Sequence, residues 1–389
     1  MPFSFWPAPP MPGEPPPDIR DHLALALIPG LGPMLTAAVL ERFGSPAAVL
    51  RATASQLRTI PLIGDKLAGQ FAEAFARVDV AAEWALLQKH GVEAIPQSHD
   101  DFPARLRTLV NGPPLLYRRG NLLPSDANCV GIVGSRSCTP YGRRAAEKIA
   151  AGLARAGWTV VSGLARGIDG VAHQAALDAG GRTIAVLAGG LARIYPPEHA
   201  SLADAVAAQG ALLTETPMTV APQPGLFPAR NRIISGLSRA VVVVEANTRS
   251  GALITVGHAA EQGREVFAVP GPIDSPASAG CLELIRKGSR LVRSADDILE
   301  DLQGVASPDG PPIKTAPTLF DPPPPAPPRP VLDAVQQKVW DALASPLHGD
   351  ELARRAEIGV SELARTLMHM ELKRLIRRLP GNQYERRGS

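Results

Sequence analysis

The sequence predicts an α/β protein: a Rossmann-like, doubly wound, mostly parallel sheet, with a helical module before it and a winged-helix-like module after it. Three observations carry that expectation. Between residues 91 and 303, short β-type apolar runs alternate with helix-length segments, the order that gives right-handed strand–helix–strand units. The run Val241 to Val244 is continuously β-branched, as suits a strand covered on both faces. Proline-crowded stretches set this region off from its neighbours, and 389 residues are too many for one ordinary core.

Residues 1–18 read as a proline-rich tail, since eight of the first 17 are proline. Residues 19–90 are helical by pattern and repeat a phrase, Ile28-Pro-Gly-Leu-Gly32 and then Ile60-Pro-Leu-Ile-Gly64. The repeat looks like paired helix-hairpin-helix (SAM-like) elements, whose glycine turns expose amides that can touch a nucleic-acid backbone. A plain helical bundle with glycine turns fits the same pattern, and Leu62 stands where the first turn has Gly30.

In the middle region the expected strands are Cys129–Val133, Trp158–Ser162, Thr183–Leu187, Ala211–Thr214, Val241–Glu245, Glu265–Val269 and Arg290–Arg293. Residues 304–330 read as an extended linker, with eleven prolines between Pro308 and Pro330. The last module, 331–389, has helical stretches near 333–344, 349–356 and 361–375, then a turn at Gly381 between residues able to form a hairpin. Leu363, Leu367 and Met370 are its expected core. From Arg365 onward it holds seven Lys/Arg against Glu371 and Glu385; DNA and protein both remain open as its partner.

The formal net charge of +3 does not by itself imply a polyanionic partner. Cys129, Cys138 and Cys281 have neither metal-type spacing nor an even count, so inert thiols in a reducing compartment are expected, and no metal. There is no run of about 18 apolar residues and no signal-peptide pattern, which points to a cytoplasmic protein without a membrane partner. Walker-type, H-E-x-x-H and G-x-S-x-G motifs are absent, so no catalytic residue is assigned. His173 and His258, on expected helices, read as packed or capping groups.

Ligands of open α/β sheets sit beyond the carboxyl ends of the strands, and glycine turns follow four of them here. The first is Gly134-Ser135-Arg136, where a strand ending at Val133 and a helix from about Tyr141 would aim amides and a helix dipole at one point. Arg136 adds a forked donor for phosphate. The next glycine is Gly142, so the dinucleotide fingerprint is missing and no nucleotide cofactor is expected. The other turns are Ser162-Gly163-Leu-Ala-Arg166-Gly167, Ala188-Gly189-Gly190 and Arg249-Ser250-Gly251. The phrase Phe227-Pro-Ala-Arg230-Asn231-Arg232 adds a ring, two guanidinium groups and an amide, the parts needed for base stacking and phosphate neutralisation.

Taken together, Gly134 to Gly142, Ser162 to Asp169 with His173, Tyr195-Pro196, Phe227 to Arg232, Ser250 to Thr255 and Val269 to Gly271 resemble the DNA-processing protein A (DprA/Smf) family. The resemblance implies a non-enzymatic, homodimeric protein that binds single-stranded DNA, protects incoming strands in natural transformation and loads the RecA recombinase. It implies DNA contacts at Gly134, Ser135, Arg136, Gly163, Arg166, Phe227, Arg230, Asn231 and Arg232, to which the turn at Ser250 and Gly251 is added from the strand-end argument. The chain departs from the family pattern at Leu282, at Ser289 and at Pro222, Gln223 and Pro224, where a basic residue is usual. The alternative is a nucleoside-monophosphate phosphoribohydrolase of the lysine-decarboxylase-like class, but its catalytic glutamate would fall on His258. A protein adaptor acting through residues 331–389 is the third class.

Overall fold

The computed structural model describes residues 13–303, 332–343, 347–373, 375–379 and 381–386. Residues 1–12 of the expected tail and the expected linker 304–330 lie outside them. The chain divides into two compact units, residues 1–312 and 313–389.

The first unit opens with helices Pro17–Ala26 and Pro33–Phe43, each started by a proline whose fixed φ suits a first turn. The repeated phrase is a structural repeat as well. Gly30 and Leu62 have φ of +81° and +78°, and Leu31 and Ile63 each donate back three residues, to Ile28 and Ile60. The second copy thus places leucine in a left-handed conformation that favours glycine, with the side chain exposed. Leu25, Ile28, Val39, Leu57, Phe71 and Phe75 close the module's core. Leu23 and Leu87 pack with Leu115, Tyr117 and Leu212 of the sheet.

The sheet has nine strands: β1 (Glu93–Pro96), β2 (Leu115–Gly120), β3 (Cys129–Val133), β4 (Thr159–Ser162), β5 (Thr183–Val186), β6 (Ala211–Thr214), β7 (Ala240–Val243), β8 (Glu265–Ala268) and β9 (Arg290–Leu291). Their order is β1-β2-β6-β5-β4-β3-β7-β8-β9. From β6 to β9 all pairs are parallel, whereas β1 and β2 add an antiparallel edge. Strands β3 to β7 are buried along their whole length, so their apolar runs are continuous rather than alternating. The chain winds outward from β3 to β6 and then resumes on the other side at β7. The switch point therefore lies between β3 and β7.

The second unit is a winged helix: helices Ala334–Ala342, Gly349–Ala356 and Val360–Leu372 with β10 (Leu347–His348), β11 (Ile376–Leu379) and β12 (Gln383–Arg386). Val339, Leu352, Leu363, Leu367 and Met370 fill its core. Two of its basic residues are engaged internally. Arg377 pairs with Glu385, and Arg386 lies 5.0 Å from the Trp340 ring while donating to that residue's carbonyl.

Candidate nucleic-acid interface

The switch point brings the turn after β3 against the end of β7, and the first thing it assembles is not a phosphate seat. The Glu245 carboxylate sits at the start of helix Pro140–Arg155, accepting from the Thr139 amide at 3.0 Å and from the Thr139 hydroxyl at 2.5 Å. An anion is favoured there by the helix dipole, and the protein supplies its own. The Ser135 amide is also committed, to the Glu245 carbonyl at 2.7 Å. The expected convergence of amides on a ligand phosphate is thus corrected at this turn.

The turn after β4 is likewise tied inward. The Gly163 and Ala165 amides donate to Asp169 at 3.1 and 3.4 Å, and the Leu164 amide donates to Nε2 of His173 at 3.3 Å. The Thr183 hydroxyl donates to Val160 and accepts from His173 Nδ1, which fixes the histidine tautomer. Burial holds the His173 pKa down at about 3, so the ring is neutral and structural, as its helical position led us to expect. Burial raises the Asp169 carboxyl above the usual range, with Arg230 opposing the shift.

Side chains face the groove together with the glycine backbone of its turns. A recess of ≈ 650 Å³ at the switch point is lined by Gly134, Ser135, Arg136, Phe227, Arg230, Asn231, Ser250 and Gly251, among others. A second hollow, sharing Arg136, Phe227 and Arg230, continues to Gly163, Arg166, Gly189, Arg193 and Tyr195. Arg136 is exposed, with its guanidinium 4.7 Å from the Phe227 ring centroid. Tyr195 stands edge-on to Phe227, with ring centroids 6.2 Å apart and planes at 60°. Arg166 lies 5.9 Å from the Tyr195 ring and is held by Glu198. The result is an array of two rings, each with a guanidinium over it. Tyr195 and Arg193 had not been named as site residues, because they sit in an irregular stretch with no periodicity to place them. The Tyr-Pro pair was the only signal.

The phrase Phe227 to Arg232 lies on helix Leu226–Leu237, and helical geometry divides it. Phe227, Arg230 and Asn231 share the groove face, Asn231 reaching the Gly251 carbonyl at 3.4 Å. Arg232, two residues beyond Arg230, points about 200° away. It pairs with half-buried Glu215 and lines a separate cavity with His258, Gln262 and Arg264. Its expected place in the groove is thereby corrected. Arg230 lines the groove but is 5 % exposed and donates to the carbonyls of Val186 and, at 2.6 Å, Gly163. A side chain at Gly163 would collide with that guanidinium and displace it from its two carbonyls. Arg230 braces β4 against β5 through Nη1, while its Nε is buried without a partner and its Nη2 takes no part in those bonds. Burial lowers its pKa to about 10, against the help of Asp169.

Thr255 lines the recess, but His258, three residues on, faces the other cavity and lies 3.5 Å from Glu261. The position where the phosphoribohydrolase reading needs a carboxylate is thus neither acidic nor in the groove. Sheet order, occupied helix terminus and ring–guanidinium array together define a doubly wound protein with a groove of cationic and aromatic side chains at its switch point.

The particular family follows from comparison. Residues 93–303 match the model of DNA recombination-mediator protein A, and residues 322–382 match that of the DprA winged helix domain. Protein Smf of Synechocystis is 33 % identical over 94 % of this chain and 98 % of its own length. The DNA processing protein DprA of Bacillus subtilis is 45 % identical over 56 % of this chain and 74 % of its own. Among solved structures, DNA processing protein A from Streptococcus pneumoniae superposes with a TM-score of 0.64 at 37 % identity, covering 72 % of this chain and 95 % of that one. DNA processing protein A from Helicobacter pylori, described for its single-stranded DNA binding mode, gives 0.50 at 28 % identity, covering 55 % and 96 %. The chain belongs to the DprA/Smf family of DNA recombination mediators. Among the described residues no helix is long and apolar enough to cross a membrane.

Proposed function

We propose that this protein binds single-stranded DNA along the β3–β7 switch point, using Arg136 and Arg166 for phosphates and Phe227 for a base. The contact set also includes Gly134, Ser135, Gly163, Asn231, Ser250 and Gly251 as walls of the groove. It acts as a cytoplasmic homodimer that shields incoming strands in natural transformation and passes them to RecA. The observation that carries the reading is the ring–guanidinium array: stacking suits every base, while the cations follow the backbone, so the site is matched to strand and not to sequence. The strand-binding mode ascribed to the Helicobacter pylori relative supports it.

The test is a salt titration of oligonucleotide binding, single strand against duplex. Affinity for the single strand should fall steeply with salt, with a log–log slope of roughly −0.7 per phosphate engaged. Arg136→Ala should flatten that slope by about one such unit and weaken binding about tenfold. Equal affinity for duplex, or an Arg136→Ala protein that melts and binds as the unaltered one does, refutes the assignment. Capture of purified RecA by the DNA-bound protein tests the transfer step separately.

A further inference from the structure

We infer that the cavity behind helix Leu226–Leu237, on the side away from the groove, binds a phosphate monoester carried on a small hydroxylated body such as a sugar. The inference stands apart from the strand-binding reading and uses none of the groove residues assigned there. The cavity has a volume of ≈ 490 Å³ and is lined by Arg232, His258, Gln262 and Arg264, together with exposed Thr108 and Asn111. Its wall is left short of partners. Of the six buried side-chain nitrogen and oxygen atoms without a hydrogen-bond partner among the described residues, three belong to this one cavity: Arg232 Nη1, Gln262 Oε1 and Arg264 Nε. Such atoms are costly unless a ligand or water meets them.

The same three side chains are fixed at their other ends. Arg232 is held by Glu215, the Gln262 amide nitrogen donates to the Arg232 carbonyl at 2.9 Å, and Arg264 Nη2 donates to the Gly236 carbonyl at 3.2 Å. A small turn about each fixed end presents the spare atom to the cavity. Arg232 is 9 % exposed, so a bond made there is sheltered from water. Arg264 has no ion pair among the described residues, and burial together with the Arg105 charge holds its pKa down, so an arriving anion offsets an uncompensated cation. Two guanidinium groups suit the oxygens of a phosphate. Gln262 Oε1 needs a donor, which an ionised phosphate ester lacks and a hydroxyl of its body supplies. The volume exceeds that of a bare phosphate, and apart from the His258 ring no aromatic side chain lines it, which suits a sugar better than a stacked base.

The test titrates the full chain with ribose 5-phosphate by calorimetry, with inorganic phosphate and ribose as controls. Ribose 5-phosphate should bind, inorganic phosphate should bind about tenfold more weakly, and ribose should not bind. Arg264→Met should weaken binding about tenfold. Thr108→Glu should do the same by repulsion, and because Thr108 is exposed it decides the matter if the first variant melts early. Equal binding of ribose and ribose 5-phosphate, binding of neither, or both variants binding as the unaltered protein does overturns the inference. So does binding that Arg136→Ala abolishes, since the probe then sits in the groove. A twelve-nucleotide thymidine strand that displaces the probe only when it carries a 5′-phosphate assigns the site to strand ends. A strand that displaces it in neither form assigns the site to free sugar phosphates, and displacement by both forms overturns the inference.

Discussion

Replacing Arg230 by alanine should damage the fold more than the site. Its guanidinium donates to the carbonyls of Gly163 and Val186, and its charge opposes the rise that burial imposes on the Asp169 carboxyl. Hydrogen bonds from a charged donor contribute roughly 1.5–3 kcal/mol each, and stripping the partner from a buried charge costs roughly 3–5 kcal/mol. These descriptions overlap, so the expected loss is about 4 kcal/mol in all. In a unit of this size that lowers the melting temperature by roughly 10 °C. Circular dichroism melts measure it, and oligonucleotide titration well below the melt measures the site. A variant that melts within about a degree of the parent while losing strand affinity would show that the guanidinium serves the ligand, and the strut argument would fall.

The remaining predictions concern pH and the repeated hairpin. His173 is neutral when folded, with a pKa of about 3 against an ordinary 6.5, so its contribution to stability is full above pH 6.5 and is lost as the pH falls toward 3. The unfolding free energy from urea titration should therefore drop between pH 6.5 and 4.5 by up to about 1.4 kcal/mol per unit, and His173→Gln should flatten that fall relative to the parent. Parallel curves would contradict the assignment. Leu62→Gly should stabilise the protein by about 0.5–1 kcal/mol, because the left-handed backbone strain outweighs glycine's extra freedom when unfolded. A lower urea midpoint would mean that the exposed leucine packs on something after all.

The parallel sheet was readable because buried strands write themselves as unbroken β-branched runs, and glycine turns after them mark their carboxyl ends. Strands β1 and β2 were missed for the converse reason. Glu93–Pro96 ends in proline, and Leu115–Gly120 carries Arg118 and Arg119, so neither reads as core, and both gain their place only by pairing at the antiparallel edge. In the groove, residue types were legible but their partners were not. Glu245 meets Thr139 across 106 residues, and Glu215 takes Arg232 out of the groove through a contact no motif records. The helix through Arg230, Asn231 and Arg232 could have warned that three successive residues do not share one face.

The carboxylate lodged at the head of helix Pro140–Arg155 also bears on how small molecules could compete for this protein. Nucleotide mimics designed for the doubly wound scaffold place their phosphate at that helix terminus, where here they would meet Glu245 and be repelled. On the strand-binding reading proposed above, a competitor is flat and anionic at its rim, slipping between a ring and its guanidinium. Compound collections built around adenine nucleotides are therefore the wrong starting point, and planar polysulfonated or carboxylated aromatics the right one.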